Sequence, residues 1–247
     1  MEKMKIAITG KGGAGKTSIA AGLALIFSAQ GKKVIAIDAD PDANLATTLG
    51  FSASERPVAI SGLKKIILER TGEIGAFFKL NPKVDDIPDK FSKEKGNIRL
   101  IEMGTVKRGG AGCVCPESAF LKALLSHIFI NRDEIVIVDM EAGVEHLGRG
   151  TAQSVDKFII VLEPNYTSLD TAEKIKKLAD NLKIKEIIAI GNKIRSKADR
   201  DFMEKNARGI QIKGFLKTDD ALLNSRGALP GDSTFIKGLT QALFTIP

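Results

Sequence analysis

Gly10-Lys11-Gly12-Gly13-Ala14-Gly15-Lys16-Thr17, following directly on the apolar run Ile6-Ala7-Ile8, decides the reading of this chain. The pattern G-x-x-x-x-G-K-[ST] belongs between a strand and a helix. Its glycines let backbone N–H groups close on phosphate, Lys16 reaches the β and γ oxygens, and the Thr17 hydroxyl can ligate Mg²⁺. Lys11 is surplus to that pattern. The same stretch also satisfies G-x-G-x-x-G, with Asp38 near the distance at which a dinucleotide fold keeps its ribose-binding acid. A nicotinamide site has no use for Lys11, Lys16 or Thr17, whereas triphosphate and Mg²⁺ chemistry uses all three at these places. The expected ligand is therefore a nucleoside triphosphate, its phosphates surrounded by Gly12, Gly13, Ala14, Gly15, Lys16, Thr17 and Ser18.

Outward from the loop, short β-rich runs alternate with stretches of helical period. The runs are Lys5-Thr9, Val34-Asp38, Ile98-Met103, Glu134-Asp139, Phe158-Leu162, Glu186-Ile190 and Ile210-Phe215. The alternation predicts an α/β fold: a mainly parallel sheet of about seven strands with helices on both faces. Ile19, Leu23 and Ile26 mark the buried stripe of a first helix that starts in the glycine loop and stops before Gly31. Further helices are expected around Ser61-Glu69, Pro116-Ile130, Thr171-Leu182, Ala198-Asn206 and Thr234-Phe244. Leu80-Asn97 mixes prolines with dense charge and reads as a surface excursion.

With 247 residues, 43% of them hydrophobic and 27% charged, the chain fits one soluble domain spanning 1–247. Met1 to Lys5 runs into a strand rather than a secretion signal, and the expected compartment is the cytoplasm. The formal charge of +7 comes from Lys and Arg spread along helix faces; with one tyrosine and no tryptophan, neither a nucleic-acid nor a membrane partner is expected. Phe235, Leu239 and Leu243 recur every four residues, as in a membrane-surface anchor, but their polar face offers only Lys237, so core packing is expected.

Phosphoryl transfer needs a metal near the phosphates and a positioned water, so acids should end neighbouring strands. Val34-Ile35-Ala36-Ile37 leads to Asp38 and Asp40, and Ile135-Val136-Ile137-Val138 leads to Asp139, which has the character of a Walker B acid. Each alone could cap a helix; three together downstream of a complete phosphate loop make metal chemistry the better account. Asp40-Pro41-Asp42-Ala43-Asn44 and Met140-Glu141-Ala142-Gly143 read as two switch segments that order on the γ-phosphate. Gly191-Asn192-Lys193 closes a later strand, where Asn192 either presents its amide to a purine edge or makes a plain turn.

These residues resemble the deviant Walker A family that includes MinD, ParA and the nitrogenase iron protein. The likeness rests on the Lys11 loop, Asp38-Ala39-Asp40-Pro41, Asp139 with its switch, and Gly191-Asn192-Lys193, and it covers almost the whole chain. It implies an ATPase binding ATP or ADP with Mg²⁺. Lys11, Lys16 and Asp40 would be catalytic, Asp40 positioning the attacking water. Thr17, Asp38 and Asp139 would serve the Mg²⁺, directly or through water, and Asn192 would read adenine. Two facing loops imply a nucleotide-sandwich homodimer.

Gly109-Gly110-Ala111-Gly112-Cys113-Val114-Cys115-Pro116 sets two thiols in a glycine-rich loop just before a helix, a position that favours thiolate. Free thiols that simply pack are the alternative, yet the flanks are glycine rather than apolar. The spacing excludes a redox C-x-x-C motif, and His127 and His146 are the only histidines. Because a closed tetrahedral thiolate site needs four sulfurs, a C-x-C pair in a homodimer is explained if two loops meet and share one ion, nickel or zinc. This loop, with Val138-Asp139-Met140-Glu141-Ala142-Gly143-Val144-Glu145-His146-Leu147-Gly148-Arg149-Gly150, resembles the CooC-type accessory ATPases. That resemblance implies a metallochaperone or maturation factor with carbon monoxide dehydrogenase as client. A MinD/ParA-like positioning ATPase on membrane or DNA, and an iron–sulfur electron-donor ATPase, are the rival expectations.

Overall fold

In a computed structural model of the chain, residues 3–72, 79–105, 115–144, 147–219, 222 and 227–244 are described. The seven apolar runs become strands and a charged stretch adds an eighth, β3: β1 (Lys5–Gly10), β2 (Val34–Ala39), β3 (Lys93–Lys95), β4 (Ile98–Glu102), β5 (Ile135–Met140), β6 (Lys157–Leu162), β7 (Ile187–Ile194) and β8 (Ile212–Lys217). They form one sheet in the order β3-β4-β2-β5-β1-β6-β7-β8, parallel throughout except for the antiparallel β3–β4 edge. Strands β1, β2 and β5 are buried at every position, as near-continuous apolar strands covered on both faces must be.

Helices α1 (Lys16–Ala29), α2 (Leu45–Thr48), α3 (Lys64–Thr71), α4 (Ile87–Phe91), α5 (Pro116–Asn131), α6 (Arg149–Gln153), α7 (Tyr166–Asn181), α8 (Lys197–Asn206) and α9 (Thr234–Phe244) cover both sides of the sheet. On one side Ile19 and Leu23 of α1 join Leu45, Phe235 and Leu239 in a core. On the other, Phe120 and Leu124 of α5 join Ile67, Ala172, Ile175 and Met203. The stripe of α9 is core: Phe235 and Leu239 are buried against that first side. Among the described residues no helix is long and apolar enough to cross a membrane.

Leu80-Asn97 holds more order than its composition announces. It contains α4 and the edge strand β3, fastened by side-chain bridges: Arg70 donates to both carboxylate oxygens of Asp86 (2.5 and 2.8 Å), and Arg99 and Arg132 both reach Asp89. Helix α7 begins five residues before the expected Thr171, because the Asn165 side chain accepts from the Ser168 amide and caps it there.

Candidate functional site

All the parallel strands end on one edge of the sheet, and the glycine loop crosses that edge between β1 and α1. Gly15 makes the left-handed turn into α1 with φ 99°, a conformation that costs a residue with a Cβ. A Cβ there would also overlap the Asn192 amide. Lys16 opens the helix and is buried, its ammonium 3.4 Å from an Asp40 oxygen. Thr17 and Ser18 follow in the first turn, half-buried. No acid occupies that turn, so the free amides of the helix N-terminus present an uncompensated anion-binding end.

The register of the sheet sets Asp139 of β5 directly between Ile8 of β1 and Asp38 of β2, and Asp38 beside Glu102 of β4. Asp38 is tied down: one carboxylate oxygen accepts from the Leu45 amide at 2.8 Å and the other from the Asp40 amide at 3.2 Å. Asp139 is different. It is wholly buried, and neither carboxylate oxygen has a hydrogen-bond partner. Burial pushes its carboxyl up to about 7; the nearby Thr17 hydroxyl, short of hydrogen-bond geometry, and Lys16 pull against this, while Asp38 and Asp40 add to it. Burial likewise raises Asp38 to about 6, against the two amides it accepts from. A buried acid with nothing to satisfy it is costly unless a cation arrives. The donor set is hard oxygen: carboxylates with the Thr17 hydroxyl beside them, which suits Mg²⁺ rather than a soft metal.

Both expected switches sit at this edge. Asp40-Pro41-Asp42-Ala43-Asn44 leaves β2, with the Asp42 amide donating to the Asp40 carboxylate at 3.1 Å. Glu141-Ala142-Gly143 leaves β5 and is held by a residue the motif reading passed over: the Thr9 hydroxyl donates to the Glu141 carbonyl at 2.9 Å and accepts from the Gly143 amide at 3.1 Å. Lys11 lies at the surface and donates to the Thr167 hydroxyl at the start of α7, at 2.8 Å. Asn192 stands under the loop rather than in a plain turn, its amide nitrogen donating to the Ala14 carbonyl at 2.8 Å.

Residues 5–229 match the CobQ/CobB/MinD/ParA nucleotide binding domain. The chain belongs to this family. It is 47% identical to the carbon monoxide dehydrogenase accessory protein CooC of Rhodospirillum rubrum, over 89% of this chain and 85% of that protein. It is 48% identical to an uncharacterised ATP-binding protein of Methanocaldococcus jannaschii, over 90% and 88% of the two chains. Among solved structures, a ParA family ATPase from Chlorobium tepidum matches with TM-score 0.69 at 22% identity, covering 98% of each chain. The MinD cell division protein of Aquifex aeolicus matches with TM-score 0.66 at 21% identity, over 100% of this chain and 99% of that one. These last two likenesses speak to the fold, which is the family's α/β sheet with its phosphate loop.

Within this CooC-type member, Cys115 is a free, half-buried thiol that caps α5, its sulfur accepting from the Ser118 amide at 3.4 Å. Cys113 lies outside the described residues, as do Gly109 to Gly112, Val114, Glu145 and His146. Among the described residues no group of three or more His, Cys, Asp or Glu is placed to hold a metal ion. Besides Thr9, two positions escaped the motif reading, Thr167 and Glu163, while Lys193 was read only as part of the Gly191-Asn192-Lys193 run and given no role. For Thr9 the signal was a polar residue interrupting an apolar strand one step before the loop. For the others no local pattern exists, since their partners are distant in sequence.

Proposed function

We propose that this protein is an ATP-hydrolysing maturation factor for carbon monoxide dehydrogenase, working as a cytoplasmic homodimer that binds nickel or zinc through Cys113 and Cys115. The observation that carries the nucleotide part is Asp139, buried and unpartnered beside Lys16 and Asp40 at the mouth of the phosphate loop. The identity with CooC carries the client. Lys16 and the loop amides bind the phosphates, and Lys11 serves nucleotide across the dimer. Thr17, Asp38 and Asp139 would hold Mg²⁺, which when bound supplies charge neutralisation to the phosphate oxygens. Asp40 orients the attacking water, Asn192 contacts adenine, and both switches respond to the γ-phosphate.

Contacts between the first switch and the chain at Met103 and Thr105 support coupling of nucleotide state to metal binding. The Met103 amide donates to the Asp38 carbonyl at 2.8 Å, and the Thr105 hydroxyl donates to the Pro41 carbonyl at 3.4 Å. The chain that leads to Cys113 therefore begins in contact with the first switch. The test is metal titration of the purified protein with ADP and with ATP, beside a Cys113→Ala/Cys115→Ala variant. The expected result is one ion per two subunits, lost in the variant and different in affinity between nucleotides. One ion per subunit, or binding indifferent to the double substitution, refutes the shared site; hydrolysis stimulated by lipid or DNA would favour a positioning ATPase.

A further inference from the structure

Gly191-Asn192-Lys193 is where β7 loses its regular pairing with β8, the register shifting between Gly191 and Ile194. Lys193 takes φ 58° at that point. Irregularities of this kind re-aim side chains beside functional sites, and left-handed backbone favours Gly or Asn over residues with long side chains. A lysine in that conformation is explained by what its side chain does. The bend carries the ammonium to the phosphate loop, where it donates to the Gly13 carbonyl at 2.6 Å and pairs with Glu163, beyond the end of β6, at 2.7 Å. Asn192, one residue earlier, holds the next carbonyl, that of Ala14.

Two consecutive carbonyls of the loop are thus held from β7. In a trans peptide the N–H points opposite to the C=O. Fixing the Ala14 carbonyl therefore turns the Gly15 amide away from β7. Fixing the Gly13 carbonyl turns the Ala14 amide back, and that amide closes the turn by donating to the Lys11 carbonyl at 3.1 Å. A plain surface ion pair would account for Lys193–Glu163 alone, and such pairs contribute little. It leaves the Gly13 bond and the backbone conformation unexplained.

We propose that Lys193 is a positioning residue for nucleotide binding: anchored by Glu163, it holds the Gly13 peptide so that the loop is shaped for phosphate before the ligand arrives. This rests on the nucleotide reading of the site. Preorganisation of this kind shows in affinity more than in turnover. The experiment measures dissociation constants for Mg²⁺-ADP and Mg²⁺-ATP, together with kcat and KM, for the full chain and for Lys193→Met and Glu163→Gln. Unfolding midpoints without nucleotide are recorded in parallel.

Lys193→Met is expected to weaken nucleotide binding about tenfold, the loss of one charge-assisted hydrogen bond, with KM rising more than kcat falls. Glu163→Gln, which leaves the lysine in place but unanchored, is expected to give a smaller loss in the same direction, and it serves alone should Lys193→Met not fold. Unchanged affinity in the variants, or a lowered midpoint with KM unmoved, overturns the proposal. If the unsubstituted protein binds neither nucleotide, the reading of the site falls and this inference with it.

Discussion

Replacing Asp139 by asparagine isolates the cost of keeping an acid at the nucleotide edge. The wild-type carboxyl titrates at about 7 when folded and near its ordinary 3.8 when unfolded. At about 1.4 kcal/mol per tenfold in proton affinity, the difference corresponds to about 4 kcal/mol. Its sign follows from linkage. A folded-state value raised above the unfolded one means the folded protein holds the extra proton, so the favourable contribution is complete below pH 3.8 and disappears as pH rises through 7. Asp38, raised to about 6, behaves likewise over a shorter window. Between pH 6 and 7, where the folded carboxyl passes from mostly to half protonated, the nucleotide-free wild type should still lose about 1 kcal/mol of stability on account of Asp139. The Asp139→Asn protein should be flat there, apart from its other titrating groups.

At pH 8 the variant escapes the whole charge cost but buries an unpartnered amide, which costs about 1–3 kcal/mol. It should therefore be more stable than wild type by about 1–3 kcal/mol, or roughly 2–10 °C in midpoint for a chain of this size. Urea unfolding from pH 5 to 8, with and without Mg²⁺-ADP, is the assay. Nucleotide with Mg²⁺ should restore wild-type stability and do far less for the variant. Parallel pH profiles for the two nucleotide-free proteins would refute the argument that Asp139 is an uncompensated buried acid.

The proposed catalytic pair should separate by function. Lys16→Ala removes the buried ammonium beside Asp40 and should abolish nucleotide binding in a calorimetric titration, while Asp40→Ala should bind nearly as wild type and hydrolyse at least about a hundredfold more slowly. Thr105→Val removes the hydroxyl that reaches Pro41; ATP affinity without metal should hold, and the ratio of metal affinities in ATP and ADP should shrink by roughly five- to a hundredfold.

The central sheet was legible in sequence for a physical reason. Strands β1, β2 and β5 are covered on both faces, so their burial is written as short runs of Val, Ile and Ala, and the acids that end β2 and β5 stand out against them. The phosphate loop was legible because close approach of backbone to phosphate requires glycine. What escaped has no such local constraint. Strand β3 is exposed at all three positions and is a strand only because β4 offers it an edge. Asn192 was readable as a purine contact or a turn; its bond to Ala14, 178 residues away, depends on two segments that meet only after folding. Thr9 carried a faint signal, a hydroxyl directly after the apolar Ile6-Ala7-Ile8, and the structure explains it by the carbonyl of Glu141 across the sheet edge.

Asp38 is where these threads join, and its bonds bound what nucleotide can do elsewhere. Its carboxylate holds Leu45 and Asp40, and its carbonyl holds Met103, so the first switch and the end of β4 share one residue. The switch can move without rebuilding the sheet only through contacts weaker than strand pairing, and the Thr105 to Pro41 bond at 3.4 Å is such a contact. A neutral hydrogen bond contributes about 0.5–1.5 kcal/mol net. If that bond is made in one nucleotide state and broken in the other, the two states differ in their hold on the cysteine loop by about two- to tenfold. Two loops meeting at one ion would double the free energy, giving up to about a hundredfold. In the proposed dimer, shared coordination would turn a single weak hydrogen bond per subunit into a difference large enough to bind metal in one state and release it in the other.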